Sequence, residues 1–206
     1  MKIKYFIAAA TLATMPAIAN AQTADINENF AGPYVGAQIG WGKRSVDQNF
    51  SIANVPNFDR SRDGIDYGAY VGFDAPVGPS FVVGGEAEIG GGGKTLSQQL
   101  TPGITASIDP DWNYMFSGRA GLVAGERALI YGRLGYGREK IDLRVSDTAA
   151  PANSVNESGW SDGAVYGGGV EFALAPNTSA RVEYRYKDFD GSYNPQQLLA
   201  GVSFRF

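Results

Sequence analysis

The last twenty-eight residues, Ser179 to Phe206, constrain the fold more than any other stretch. SARVEYRYKDF alternates small or apolar residues (Ala180, Val182, Tyr184, Tyr186) with charged ones (Arg181, Glu183, Arg185, Lys187). After a short break, QQLLAGVSFRF alternates again and stops on Phe206. Period-two alternation gives an extended strand two chemically distinct faces. Here one face carries full charges and the other large aromatics. A soluble lipocalin-like barrel or sandwich would bury the apolar face and turn the charges to water. A membrane barrel does the reverse, with aromatics toward lipid and charges in its lumen.

The N-terminus points to export, which a membrane barrel and a periplasmic soluble barrel share. Lys2 and Lys4 precede the apolar run Tyr5 to Met15, and Ala19-Asn20-Ala21 is a small-x-small cleavage site. Residues 1–21 therefore read as a cleaved secretory signal peptide. The run is too short for a spanning helix and holds Pro16 near its end. Its loss removes two lysines and no acid, moving the formal charge from −4 to −6. An acidic exported chain offers no basic surface for phosphate backbones, which argues against nucleic acid. After Ala21 no apolar run approaches the length of a membrane helix, so a membrane crossing must use strands.

The rest of the chain repeats the alternation. Residues 22–32 form a short lead-in, expected to be periplasmic and loosely ordered. Residues 33–206 divide into eight alternating segments: Tyr34–Gly42, Gly64–Asp74, Phe81–Gly90, Trp112–Ala124, Ala128–Gly137, Gly163–Leu174 and the two in Ser179–Phe206. Short turns at 75–80, 125–127 and 175–178 alternate with longer stretches without periodicity at 43–63, 91–111 and 138–161, which read as external loops. Short turns at one end and long loops at the other predict an all-β, eight-stranded antiparallel transmembrane β-barrel. Twenty-eight glycines and twenty-five aromatics suit that architecture.

With odd strands rising from the periplasm, Trp41, Trp112, Tyr114, Tyr136, Tyr166 and Tyr186 gather at the outer rim. Phe73, Phe81, Phe172, Phe204 and Phe206 gather at the inner rim, so both interfaces gain aromatic girdles. The same register points Asp66, Glu86, Glu88, Glu171 and Glu183 inward, together with Arg119, Arg133, Arg181 and Arg185. An eight-stranded barrel is just wide enough for side chains to fill it. These charges are therefore expected to interlock as a salt-bridged plug. The competing expectation is a narrow polar path for small ions.

Four motifs support a resemblance. Gly201-x-x-Phe204-x-Phe206 resembles the C-terminal signal that barrel-insertion machinery reads in bacterial outer-membrane barrels, with Leu199 where a polar residue is usual. RVEYRY, Arg181 to Tyr186, resembles the seventh strand of small surface-antigen barrels of the opacity-protein and OmpA-like type. GPYVGAQIGWG and LIYGRLGYG are similar to that family's first and fifth strands. The resemblance implies a porin-family surface antigen of the outer membrane, in contact with lipid and lipopolysaccharide. It further implies a structural, adhesive or porin-like role, the adhesive one through a host or surface ligand at the loops. Phe50, Phe58, Leu96, Leu100 and Ile104 are among the apolar spots in those loops that could contact such a partner or pack over the barrel mouth.

Enzymatic chemistry finds little support. The chain has no histidine and no cysteine, which removes Ser-His-Asp hydrolysis, thiol chemistry and typical zinc sites. Glu86 and Glu88 share a face, but lumen alternation produces that spacing unaided. Gly93-Lys94-Thr95 lacks the upstream glycine of a phosphate loop, because position 88 is glutamate. The loop aspartates Asp47, Asp59, Asp63, Asp109 and Asp111 read as solvated. No cofactor or metal is implied.

Overall fold

A computed structural model describes residues 28–45, 61–92, 96–101, 104–147, 155–189 and 194–206. The expectations on residues 1–27, Asp47, Phe50, Phe58, Asp59 and Lys94 lie outside the described residues.

Nearly every described residue is in a strand. β1 is Gly32–Ser45, β2 Ser61–Val77, β3 Phe81–Gly92, β4 Leu96–Thr101 and β5 Ile104–Ala124. β6 is Ala128–Asp147, β7 Val155–Ala175, β8 Thr178–Phe189 and β9 Gln196–Arg205. All pairings are antiparallel, and β3 pairs with β5 while β1 pairs with β9. Eight strands thus close into a barrel, and β4 stands outside the ring, paired with the upper part of β5. Closure satisfies every backbone group of the wall, the condition for strands to cross lipid.

Alternation sets the two faces. Val35, Ile39, Val71, Ile89, Phe116, Leu134, Val182, Leu198 and Val202 are exposed on the outside, while Glu86, Arg119, Arg133 and Arg185 are buried within. In water such an exterior would be an aggregation hazard; in hydrocarbon it is the solvated face. The short turns between β2 and β3 and between β5 and β6 are closed by Gly78 (φ 73°) and Gly125 (φ 66°), in the left-handed region that glycine enters without strain.

Two sequence expectations need correction. Residues 91–111 and 138–161 are largely strand, not loop. β5, β6 and β7 run 21, 20 and 21 residues, against the roughly 9–11 that cross a bilayer. Their upper halves stay paired, from Ile104↔Asp147 in β5–β6 and from Val145↔Val155 in β6–β7. The apolar period fades there, although the backbone ladder continues. The β5–β6 register shifts between Pro110 and Asn113, where proline has no N–H to give the ladder.

The second correction concerns the lead-in. Glu28–Phe30 forms a 3-10 turn, and Phe30 is fully buried in the barrel's short-turn end against Val82, Val123, Leu129, Tyr131 and Ala173. Asn29 Nδ2 donates to the Glu126 carbonyl at 3.1 Å. A single aromatic finds there the one apolar layer the lumen offers at that end.

Candidate functional site: the charged lumen

Above the Phe30 layer lies the first charged tier. Arg119 grips Asp74 with both ends of its fork, Nε to Oδ1 at 2.9 Å and Nη2 to Oδ2, and gives Nη1 to Glu171 at 2.9 Å. Arg205 reaches the same two acids, at 3.0 Å to Asp74 and 3.4 Å to Glu171. Ser179 Oγ donates to Glu171 at 2.6 Å. The Tyr34 ring lies 4.8 Å from both guanidiniums, a cation–π contact strengthened by desolvation.

The middle tier is centred on Glu86. It accepts from Arg133 Nη2, from Arg181 Nη1 at 2.6 Å and from Tyr34 OH at 2.9 Å. Arg181 also gives Nη2 to Gln38 at 2.8 Å and sits 3.5 Å above the Tyr70 ring. Next above, Glu183 accepts from Tyr131 OH at 2.7 Å, Arg133 Nη1 at 3.0 Å and Arg185 Nε at 2.8 Å. Glu88 takes both terminal nitrogens of Arg185, at 2.7 and 3.1 Å.

Toward the open end, Gln197 Nε2 donates to Asp66 at 2.7 Å and Lys187 meets Glu139 at 3.4 Å. A second apolar cluster follows: Met115, Val165 and Phe189, with Ile141 against them. The charges therefore stand above one greasy layer and, on the β5–β8 side, against a second apolar cluster. Buried ions are costly unless paired and fully hydrogen-bonded, and planar arginine forks meet that demand best. Ser117 Oγ, Arg133 Nε and Gln197 Oε1 are buried without a protein partner.

All nine inward charges expected from alternation — Asp66, Glu86, Glu88, Glu171, Glu183, Arg119, Arg133, Arg181 and Arg185 — lie buried in this lattice. Asp74, Glu139, Lys187 and Arg205 are buried with them; of these only Lys187 was placed on the charged face by the sequence, and none was counted among the nine. Seven acids thus face six bases among the described residues, one acid in excess, as in the smaller set. Arg205 could have been found, since it alternates with Phe204 and Phe206. Glu139 could not, because it falls in a stretch read as loop.

Outside, Trp41, Trp112, Tyr136 and Tyr166 are exposed near the long-hairpin end, with Tyr166 stacked on Tyr186 at 5.1 Å. Tyr114 lies within a cluster with Trp112 (5.8 Å) and Trp160 (6.1 Å), the latter not foreseen. Phe73, Phe81, Phe172, Phe204 and Phe206 are exposed at the short-turn end, Phe204 and Phe206 with centroids 5.3 Å apart. Gly201 faces inward, 3.1 Å (from the position a Cβ would take) from Tyr70 OH. Asp63 is exposed, and Asp111 is held by Lys140 at 3.2 Å. The backbones of Leu96, Leu100 and Ile104 lie in β4 and β5.

A closed eight-stranded barrel, apolar outside and ionic inside, defines the class of small outer-membrane barrels. Residues 6–206 match the family model of the outer membrane protein beta-barrel domain, and the chain belongs to that family. The 31 kDa outer-membrane immunogenic protein of Brucella melitensis is 25% identical over 178 residues, covering 78% of this chain and 71% of the relative. Ail, the attachment invasion locus protein of Yersinia pestis, superposes with a TM-score of 0.53 at 18% identity, over 85% of this chain and 99% of its own. Ail crystallised with the heparin analogue sucrose octasulfate gives 0.51 at 17%, with the same coverage. At that identity the likeness is one of fold. The protein is an outer-membrane β-barrel similar to an outer-membrane immunogenic protein.

Proposed function

We propose that the protein is a structural, surface-exposed scaffold of the outer membrane whose lumen is plugged. The observation that carries this reading is the buried ionic lattice that fills the lumen above the apolar layer of Phe30 and its neighbours, with Met115, Val165 and Phe189 packed against it on one side. A hydrated ion would have to break several buried pairs and wet the Phe30 layer to pass. The rival, a narrow channel for small ions, would use the same charges as its lining.

In this reading the leader is removed after Ala21, the short turns face the periplasm, and both aromatic girdles sit at headgroup level. Gly201, Phe204 and Phe206 are the signal taken up by the insertion machinery. The paired extensions of β4 to β7 carry any contact with a host or surface ligand. Asp111, Trp160 and their neighbours would then lie at the outer surface.

The test is planar-bilayer conductance of residues 22–206 after the barrel is shown to be folded. Silence is expected; reproducible steps altered by Arg133→Ala would overturn the plug. Orientation is read separately. The natural chain has no cysteine, so Ser158→Cys on the long hairpin and Pro79→Cys in a short turn give single labelling sites. An impermeant maleimide applied to intact cells is expected to label the first and not the second.

A further inference from the structure

The chain has no cysteine, so a covalent staple formed by oxidation in this wall must use other side chains. Phenols offer one: two one-electron oxidations join a pair of tyrosines through their ortho ring carbons. One tyrosine pair is placed for that reaction. Tyr166 and Tyr186 are direct cross-strand partners of β7 and β8, the relation that brings side chains on one face closest together. Their rings are stacked, with centroids 5.1 Å apart and planes inclined by 28°, so the rim of one ring lies against the other. Tyr166 is 43% exposed and Tyr186 half-buried. An oxidant therefore meets the pair from outside the barrel, without entering the lumen.

The other tyrosines nearby lack one or more of these features. Tyr34 and Tyr70 meet edge to face at 6.2 Å and 67°. Both are buried, and their hydroxyls are engaged by Glu86 at 2.9 Å and Ser203 at 2.8 Å. Tyr184 shares the outer face with Tyr186, but its cross-strand partners are Gly168 and Leu198. Tyr136 stands between Phe116 and Ala164. Position adds a consequence. The β7–β8 ladder ends at Gly163↔Phe189, three pairs beyond the two tyrosines, and a ladder opens first from its end. A bond at Tyr166–Tyr186 fastens that end.

We infer that Tyr166 and Tyr186 form an oxidative modification site, at which a one-electron oxidant joins them as dityrosine and staples β7 to β8. Each phenol gives one electron to the oxidant and its hydroxyl proton to water. The two phenoxyl radicals couple through a new bond between ortho carbons. The hydrogen on each of those carbons then moves to its ring's oxygen as a proton, restoring both aromatic rings. In all, two equivalents of oxidant are reduced and two protons are released. The reaction needs neither a particular orientation of the barrel nor a conducting lumen.

The experiment exposes the folded mature barrel, dilute in detergent micelles, to photogenerated ruthenium(III) tris-bipyridyl; a parallel tube of N-acetyltyrosinamide certifies the oxidant. Trypsin separates the candidates: residues 145–181 hold Tyr166 as their one tyrosine, 182–185 hold Tyr184, and Tyr186 leaves in 186–187. Mass spectrometry of the monomer band is expected to find 145–181 joined to the peptide carrying Tyr186, two hydrogens lighter than their sum. Tyr166→Phe and Tyr186→Phe should each lower dityrosine fluorescence of the monomer at least tenfold. Tyr184→Phe and Tyr136→Phe should leave it within twofold, and heat-modifiable electrophoretic mobility certifies that every variant is folded. Heat-unfolded wild type should give at least fivefold less, because the wall no longer holds the rings together. Absence of the joined peptide overturns the site, as does dityrosine found solely in cross-linked dimers. Undiminished yield from Tyr166→Phe, from Tyr186→Phe or from the unfolded chain overturns it equally.

Discussion

Replacing Glu86 with alanine removes the acceptor shared by Arg133, Arg181 and Tyr34. Taking one partner from a buried ion pair costs about 3–5 kcal/mol, because the remaining charge stays desolvated. Here each arginine keeps a second acceptor: Arg133 has Glu183 at 3.0 Å, and Arg181 has Gln38 at 2.8 Å. The expected loss is therefore at the low end, about 3 kcal/mol, or roughly a hundredfold in the folding equilibrium. Urea unfolding of the barrel in lipid vesicles, followed by tryptophan emission, measures it. The double variant Glu86→Ala/Arg181→Ala should fall short of the summed single effects by about 1 kcal/mol or more, since neither charge of that pair is then stranded. A Glu86→Ala loss within about 0.5 kcal/mol, the range of ordinary surface substitutions, would refute the argument. It would mean that water reaches the arginines and that the lumen is wet.

Phe30→Ala empties the apolar layer at the short-turn end and should cost about 3 kcal/mol in the same assay; no loss would mean the turn contributes nothing to closure. Gly84 and Gly85 form a matched pair. A Cβ at Gly84 would lie 2.0 Å from Asp74 Oδ1 and 2.6 Å from the Phe73 carbonyl, whereas at Gly85 the nearest atom is 3.9 Å away. Gly84→Ala should lose the folded band on unheated electrophoresis and Gly85→Ala should keep it; equal behaviour would contradict the packing of β2 on β3. Phe206→Ala should refold normally in detergent yet accumulate in the periplasm when expressed, assayed by membrane fractionation.

The barrel wall was legible in the sequence because lipid on one side and packed charges on the other impose a strict period of two. Asp66, Glu86 and Arg185 could be assigned to the inside on that basis alone. Residues such as Glu139 could not, because the apolar period on the outer face ends at Tyr136 and strand and loop share one composition beyond it. Asp74 was as legible as Asp66, since it closes the Gly64–Asp74 segment on the same inward face. Phe30 gives no periodic signal at all. Its role depends on the short-turn end being open and apolar inside, which only closure of the ring creates.

That closure has a consequence for the order of assembly. β1 pairs with β9 from Tyr34↔Arg205 to Lys43↔Gln196, so the first strand made finds its last partner only when the final ten or so residues arrive. The ionic lattice repeats the delay, since Arg205 reaches back 131 positions to Asp74 and Arg181 reaches back 143 to Gln38. Contacts this distant along the chain are slow to form, and loop closure must precede the gain from making them. Until then β1 presents a raw edge, and Asp74 and Glu171 share Arg119 alone, without Arg205. The closing strand thus acts as the keystone, completing the wall and the first charged tier together.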